Sequence, residues 1–249
     1  MAVIMVCSCS IKEDRTDCPC FLDVVVEEIH APYNNMLVSV FSSSISPSYR
    51  EMVSLDEELE TIALKRGYVD VNALWGISSS IVRGRSLSIP YGRQMDSIYS
   101  STARSVDATG ELAVAMVRGS KQFCTVSLRM KAQAGESGWD RMSLVGEVCG
   151  VDLIALTPVS GDFRAVAQPS DCSSGEFTIR IPRQSGGTLL LEFDEFGTVL
   201  DIGEYIERSG YDWSAESLED ISVDVDLVHS IISIGVNSWE LSWDYSVVI

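Results

Sequence analysis

Basic side chains are scarce in this chain. Lys and Arg number 18 against 36 Asp and Glu, a formal charge of −18 at pH 7. A nucleic-acid binder needs a cationic stripe to neutralise phosphates, so the balance argues strongly against that class. Long apolar runs are missing too, and nothing approaches the roughly 18–20 consecutive apolar residues that a membrane-spanning helix needs. Histidine is limited to His30 and His229. No cysteine pair has the C-x2-C spacing of a structural zinc site, so no metal centre is expected. The sequence holds no G-x-S-x-G elbow, no H-E-x-x-H and no phosphate-binding glycine loop. The expectation is a non-enzymatic protein with no catalytic residues, no metal and no cofactor.

What is present is apolar and alternating. The 249 residues are 46% hydrophobic and only 22% charged, which excludes global disorder. That length suits one large domain or two of about 125 residues each. The charge is uneven: residues 1–119 carry 10 basic and 15 acidic side chains (−5), and 120–249 carry 8 and 21 (−13). Seven cysteines occur, at 7, 9, 18, 20, 124, 149 and 172. The last three read as buried free thiols acting as small apolar side chains. A Cys18–Cys20 disulfide would close a very small ring and is not expected.

Period-2 alternation dominates, and helical periodicity is hard to find. Phe21–Glu27, Met36–Ser42, Thr61–Lys65, Tyr68–Trp75, Ser86–Pro90 and Glu111–Val117 read as strands, with Gly67, Gly76, Gly84, Gly92 and Gly110 between them. After Gly119-Ser120 the pattern restarts with Phe123–Met130. It continues through Leu144–Leu156, Phe163–Ala167, Glu176–Ile181, Thr188–Phe193, Asp220–Leu227, Ile231–Val236 and Trp239–Val248. A short helical piece is expected within Asp201–Ser217. The reading is all-β, with two antiparallel β-sandwiches over 21–118 and 119–249. Trp239, Leu241 and Trp243 share parity on the last strand and are expected in the core. Asp220, Asp224 and Asp226 share the other parity of their strand and read as a solvated face rather than a calcium site. Residues 1–20 differ in kind: Met1–Cys9 reads as the remnant of an apolar export segment, followed by a polar linker.

Ordered motifs add a resemblance. Cys9-Ser-Ile-Lys-Glu-Asp-Arg-Thr-Asp-Cys-Pro-Cys20 ahead of a strand, Met95-Asp-Ser-Ile-Tyr99 and Lys121-Gln-Phe-Cys-Thr-Val126 come in sequence. Leu200-Asp-Ile-Gly-Glu-Tyr-Ile206, Gly210-Tyr-Asp-Trp213 and Leu218-Glu-Asp-Ile221 follow, before the final hairpin at Trp239. The set resembles FimB-type, fimbrillin-like minor-fimbrium anchor subunits of Bacteroidetes from near residue 9 to the C-terminus. The resemblance implies two tandem transthyretin-like sandwiches. It also implies a lipid-anchored accessory subunit that attaches or caps a fimbrium at the outer membrane, contributes to cell adhesion and has fimbrial stalk subunits as partners.

The N-terminus fits such an anchor. Val6-Cys7-Ser8-Cys9 has an aliphatic residue, a tolerant position and a small residue ahead of Cys9, the expected acylated (palmitate-bearing) cysteine. Each buried CH2 contributes about 0.8 kcal/mol, so several acyl chains hold stably. Lys12, Glu13 and Asp14 are similar to the signal that sends such lipoproteins to the cell surface. The alternative function is a surface glycan-binding lipoprotein in which Trp139 or Trp213 forms a stacking platform.

Overall fold

The computed structural model describes residues 18–28, 33–56, 60–131, 142–169, 176–193, 198–226, 228–229, 231–236 and 239–244, and for 28, 168–169 and 239–244 the backbone alone. The described residues are all-β with one short helix. In the first half lie β1 (Cys20–Glu28), β2 (Asn35–Phe41), β3 (Tyr49–Ser54), β4 (Ile62–Leu64), β5 (Gly67–Trp75), β6 (Ile81–Arg83), β7 (Ser86–Ser88), β8 (Tyr99–Ala108) and β9 (Leu112–Arg118). Then come β10 (Ser120–Lys121), β11 (Phe123–Lys131), β12 (Met142–Asp152), β13 (Pro158–Val166), β14 (Gln168–Pro169), β15 (Glu176–Pro182), β16 (Leu190–Phe193) and β17 (Thr198–Asp201). Helix α1 (Ile202–Arg208), β18 (Ile221–Asp226), β19 (Ile231–Val236) and β20 (Trp239–Asp244) complete it. The helix falls inside the expected stretch, and Asp201 caps it by accepting the Glu204 N–H at 3.1 Å.

The described strands form four sheets, in the orders β4-β1-β9, β10-β8-β5-β2-β3, β14-β15-β11-β18-β19-β20 and β17-β16-β12-β7-β6, with β13 also pairing β12. Two ladders depart from the expected antiparallel pairing: β1 runs parallel to β9, and β11 parallel to β18. Both halves thus repeat one motif, in which the opening strand lies between an antiparallel partner (β4 or β15) and a later parallel one. One core cluster gathers Leu22, Val24, Met36, Val38, Val71 and Trp75 between the first two sheets. A second gathers Leu128, Leu144, Phe163, Ile179, Leu191 and Val223 between the other two.

The units expected at 21–118 and 119–249 share strands. The β6–β7 hairpin precedes residue 119, yet β7 pairs with β12, and Leu87, Ile89, Met95 and Ile98 belong to the second core. Close approach makes this possible: a Cβ on Gly150 would lie 2.1 Å from the Leu87 carbonyl oxygen, so only glycine lets β12 meet β7.

The central five-stranded sheet is covered on both faces. Along β2, Met36, Val38 and Val40 face the first core, while Leu37 packs into the second. Asn72 and Ser100 are fully buried on that second side. The Asn72 amide nitrogen lies 2.9–3.1 Å from Ser100 Oγ, the Ser101 carbonyl, Thr102 Oγ1 and the Leu153 carbonyl of the β12–β13 turn. Two amide hydrogens shared among four acceptors bind the turn to the sheet. Thr102 Oγ1 donates to the same Leu153 carbonyl at 2.7 Å, and Arg104 donates to the Ile154 carbonyl at 2.5 Å.

A buried carboxylate fastens the strap between the halves. Asp96, 7% exposed, accepts the N–H groups of Ser78, Ser79 and Ser80 at 2.9, 2.8 and 2.7 Å, and the Ser79 hydroxyl at 2.8 Å. Burial alone would raise its pKa, but these hydrogen bonds outweigh it and hold the carboxyl below the usual carboxylate range. A folded pKa below the unfolded one stabilises the protein above the unfolded value, and the contribution is lost as pH falls through the folded one. Asp96→Asn is therefore expected to cost about 1.5–3 kcal/mol at neutral pH, the range for hydrogen bonds to a charged group. The gap to the parent should narrow as pH drops below about 4, where Asp96 begins to protonate in the unfolded chain while the folded carboxyl stays ionised. Urea midpoints of both proteins at neutral and acid pH measure this, and a pH-independent gap would contradict it.

Candidate functional site

Chemistry-bearing side chains are dispersed. Among the described residues, no three His, Cys, Asp or Glu side chains are gathered so as to hold a metal ion. On β18, Ile221, Val223 and Val225 are buried, and the acids around them find separate basic partners. Lys121 Nζ lies 2.5 Å from Asp220 Oδ1, Arg129 Nη1 lies 3.8 Å from Asp224 Oδ1, and His229 Nδ1 lies 3.1 Å from Asp226 Oδ2. Such exposed pairs contribute little to stability, and they spread the carboxylates rather than converge them on a ligand.

Two surface features remain. The first is the outer face of the β4-β1-β9 sheet. Strand β9 turns Ala113, Ala115 and Val117 inward and leaves Leu112 at 72%, Val114 at 56% and Met116 at 56% exposure. Phe21 and Val25 on β1, each 43% exposed, stand directly opposite Leu112 and Met116 in register. Asp23 lies between them, opposite Val114, and accepts a hydrogen bond from the Thr61 hydroxyl at 2.8 Å. The result is a ribbon of large apolar side chains in water. Among the described strands β9 pairs with β1 alone, and no described strand lies along its other side. An open edge beside an exposed apolar face is the condition under which a sheet accepts another chain.

The sequence hides this face for a physical reason. In Glu111-Leu-Ala-Val-Ala-Met-Val117 both parities are apolar, so alternation cannot say which side is core. The small alanines go inward and the large side chains outward. An apolar strand with its bulk on one parity and alanine on the other is the signal that could have revealed it.

The second feature is a cleft of about 460 Å3 in the second half, between the 155–158 turn, the 183–186 segment, α1 and the 211–214 loop. Tyr211 and Trp213 meet in a tilted contact at its side, ring centroids 4.4 Å apart and planes inclined by 59°. Arg183 holds the loop from beneath, donating to the Trp213 carbonyl and, at 3.1 Å, to Gln122 Oε1. Asp212 caps its own turn by accepting the Ser214 N–H at 2.8 Å and hydroxyl at 2.6 Å. The Tyr211 hydroxyl donates to the Glu219 carbonyl at 2.6 Å. Burial pushes the Tyr211 pKa far up, with Cys124 and the Asp220 and Glu219 carboxylates adding to it, so the phenol stays protonated.

The sequence-derived site residues are placed unevenly. Cys9, Lys12, Glu13, Asp14 and Trp139 lie outside the described residues. Trp239, Leu241 and Trp243 lie on β20 opposite Val236, Ile234 and Ile232, but their side chains are outside the described set. Trp213 is half-buried at the cleft, and Trp75 is core at 2% exposure.

No protein-family model and no curated protein matches the chain. Solved structures do match its fold. The fimbrial anchor protein Mfa2 from Porphyromonas gingivalis superposes with a TM-score of 0.66 at 11% identity, over 90% of this chain and 99% of that one. A candidate adhesin from Bacteroides ovatus gives 0.61 at 9% identity, over 91% and 96%. A candidate polysaccharide-binding protein from Bacteroides thetaiotaomicron gives 0.60 at 12% identity, over 92% and 99%. At such identities the likeness is one of fold.

The described cysteines, at 18, 20, 124 and 149, are free thiols. Cys124 is fully buried beneath Tyr211, and burial pushes its pKa up to about 12. Cys149 is intermediate in exposure rather than buried as expected, and Cys172 lies outside the described residues. The thiolate is the reactive form, so Cys124 should resist alkylation in the folded protein. Iodoacetamide near pH 8 followed by peptide mass mapping is expected to modify exposed Cys18 and to reach Cys124 only after unfolding. Labelling of Cys124 at the rate of Cys18 would show that the Tyr211 loop does not cover it.

Proposed function

We propose that this chain is a non-enzymatic, lipid-anchored accessory subunit that attaches or caps a fimbrium at the outer membrane. In this reading it is surface-exposed, contributes to cell adhesion and contacts fimbrial stalk subunits through the outer face of the β4-β1-β9 sheet. The observation that carries the reading is the apolar ribbon of Phe21, Val25, Leu112, Val114 and Met116 beside the open side of β9. A soluble monomer rarely exposes such a face without a partner. An extended segment laid along β9 would cover Leu112, Val114 and Met116 together. The fold likeness to a fimbrial anchor protein over 90% of the chain supports the same reading.

The anchor rests on Cys9. Cys20, at the start of β1, lies eleven residue steps beyond it, a reach of roughly 36–40 Å when fully extended. The sheet with the apolar face would therefore stand close to the membrane, with Lys12, Glu13 and Asp14 in the tether as the surface-export signal.

Two experiments test the halves of the proposal separately. In the precursor carrying a complete leader, Cys9→Ala is expected to abolish radiolabelled palmitate incorporation and to release the protein from the outer membrane. Persistent labelling would put the acylation site elsewhere. Val114→Asp combined with Met116→Asp changes exposed positions, so each should alter stability by no more than about 0.5 kcal/mol. Co-purification with fimbriae from native outer membranes is expected to fall sharply. If it is unchanged, the partner does not use this face.

A further inference from the structure

We propose that the cleft beside Tyr211 and Trp213 is a binding site for a neutral hexose glycan. The space suits a small ligand: about 460 Å3 lies within the usual 300–1,000 Å3 range of ligand clefts. Its wall combines an aromatic pair with hydroxyl and carboxylate groups from Thr157, Ser185, Ser214 and Glu207. That pairing is what a sugar ring requires, since its C–H face is apolar and its rim is a ring of hydroxyls that both donate and accept. Gly186 lies on the same wall, and a Cβ there would meet no heavy atom within 4 Å, so the cleft is open at that point.

The binding groups are already fixed in place. The Arg183 bond to the Trp213 carbonyl, the Asp212 turn and the Tyr211–Glu219 bond hold both rings before any ligand arrives. Ordering entropy is thus largely spent in folding, which favours the shallow, weak contacts that sugars make. Polar capacity is also left over behind the wall. Arg183 and Gln184, 3% and 2% exposed, each keep one buried atom, Nε and Oε1 respectively, without a hydrogen-bond partner. Groups of this kind gain when a hydroxyl or a bridging water reaches them.

Charge selects among glycans. The one cation on the wall, Arg183, is turned to the Trp213 carbonyl and Gln122, whereas Glu207 lines the cleft and Asp212 sits in the loop between the two rings. With −18 on the whole chain, a uronate or sulfate polymer would meet repulsion, and a neutral polymer would not.

The test uses the full chain, with short neutral hexose oligomers (gluco- and manno-oligosaccharides) as probes and oligogalacturonate as the anionic control. Tryptophan fluorescence is expected to change saturably with a neutral oligomer at concentrations up to about 10 mM, and not with the anionic one. Trp213→Ala removes the platform, and Gly186→Phe fills the open wall without touching the loop. Each should weaken binding about tenfold or more, and Gly186→Phe should leave the melting temperature unchanged. Should Trp213→Ala fail to fold, Gly186→Phe alone decides. Absence of binding by every neutral oligomer, equal binding of the anionic control, or undiminished binding by Gly186→Phe would each overturn the proposal. Fimbrial association is a separate readout, so failure here leaves the anchor reading standing.

Discussion

Water reaches neither face of β2 from Met36 to Phe41 or of β5 from Val71 to Trp75, and that double burial governs how the two halves of the chain relate. A strand covered on one side needs only alternation; one covered on both must also dispose of every polar group on its second face. Here Asn72, Ser100, Thr102 and Arg104 present those groups, and the β12–β13 turn answers with the Leu153 and Ile154 carbonyls. The second half covers Leu37 and Leu74 and supplies the acceptors that Asn72, Thr102 and Arg104 reach across the seam. The β6–β7 hairpin reinforces this, because the first half supplies a strand to a sheet of the second.

Such a seam explains what was legible in the sequence. Strands whose burial is one-sided, such as β11 and β18, show clean alternation and stand where it places them. Strand β8 does not: Tyr-Ser-Ser-Thr-Ala-Arg-Ser-Val-Asp-Ala is polar because its second face bonds across the seam rather than packing. Its ladder to β5 shifts between Val69 and Val71, where Ser105 adopts a φ of 52° and donates its N–H to Asp70, so the period itself is broken. Strand β3 lies at the edge of its sheet with little burial and gives no pattern to read. The Ser86–Pro90 strand was visible, but its partner was not, since the close approach of Gly150 to the Leu87 carbonyl is a property of two distant segments together.

The site was legible in pieces. Trp213 and its neighbours stand out as a motif, yet nothing local announces that Arg183, thirty positions earlier, clamps the loop from below. The apolar ribbon was harder still, because a strand with both parities apolar looks like core until its surroundings are known. The two features are also built from different halves: the ribbon from β1 and β9, the cleft from residues after 154. The two proposed surfaces therefore share no side chains.

The parallel pairing of β1 with β9 also bears on mechanical load. If Cys9 is the point of attachment, tension enters the fold at Cys20, at the start of β1. Matched positions run from Phe21 opposite Leu112 to Val26 opposite Val117, with β4 alongside on the other edge. A pull along the axis of β1 strains all of these hydrogen bonds at once, in shear. It cannot peel them one after another, as a pull across the strand would. From β9 the chain passes directly through Gly119 into β10 and β11, so the load crosses to the second half along a continuous extended path. For a protein tethered at one end and holding a filament exposed to flow, rupture then requires breaking a whole ladder in a single event.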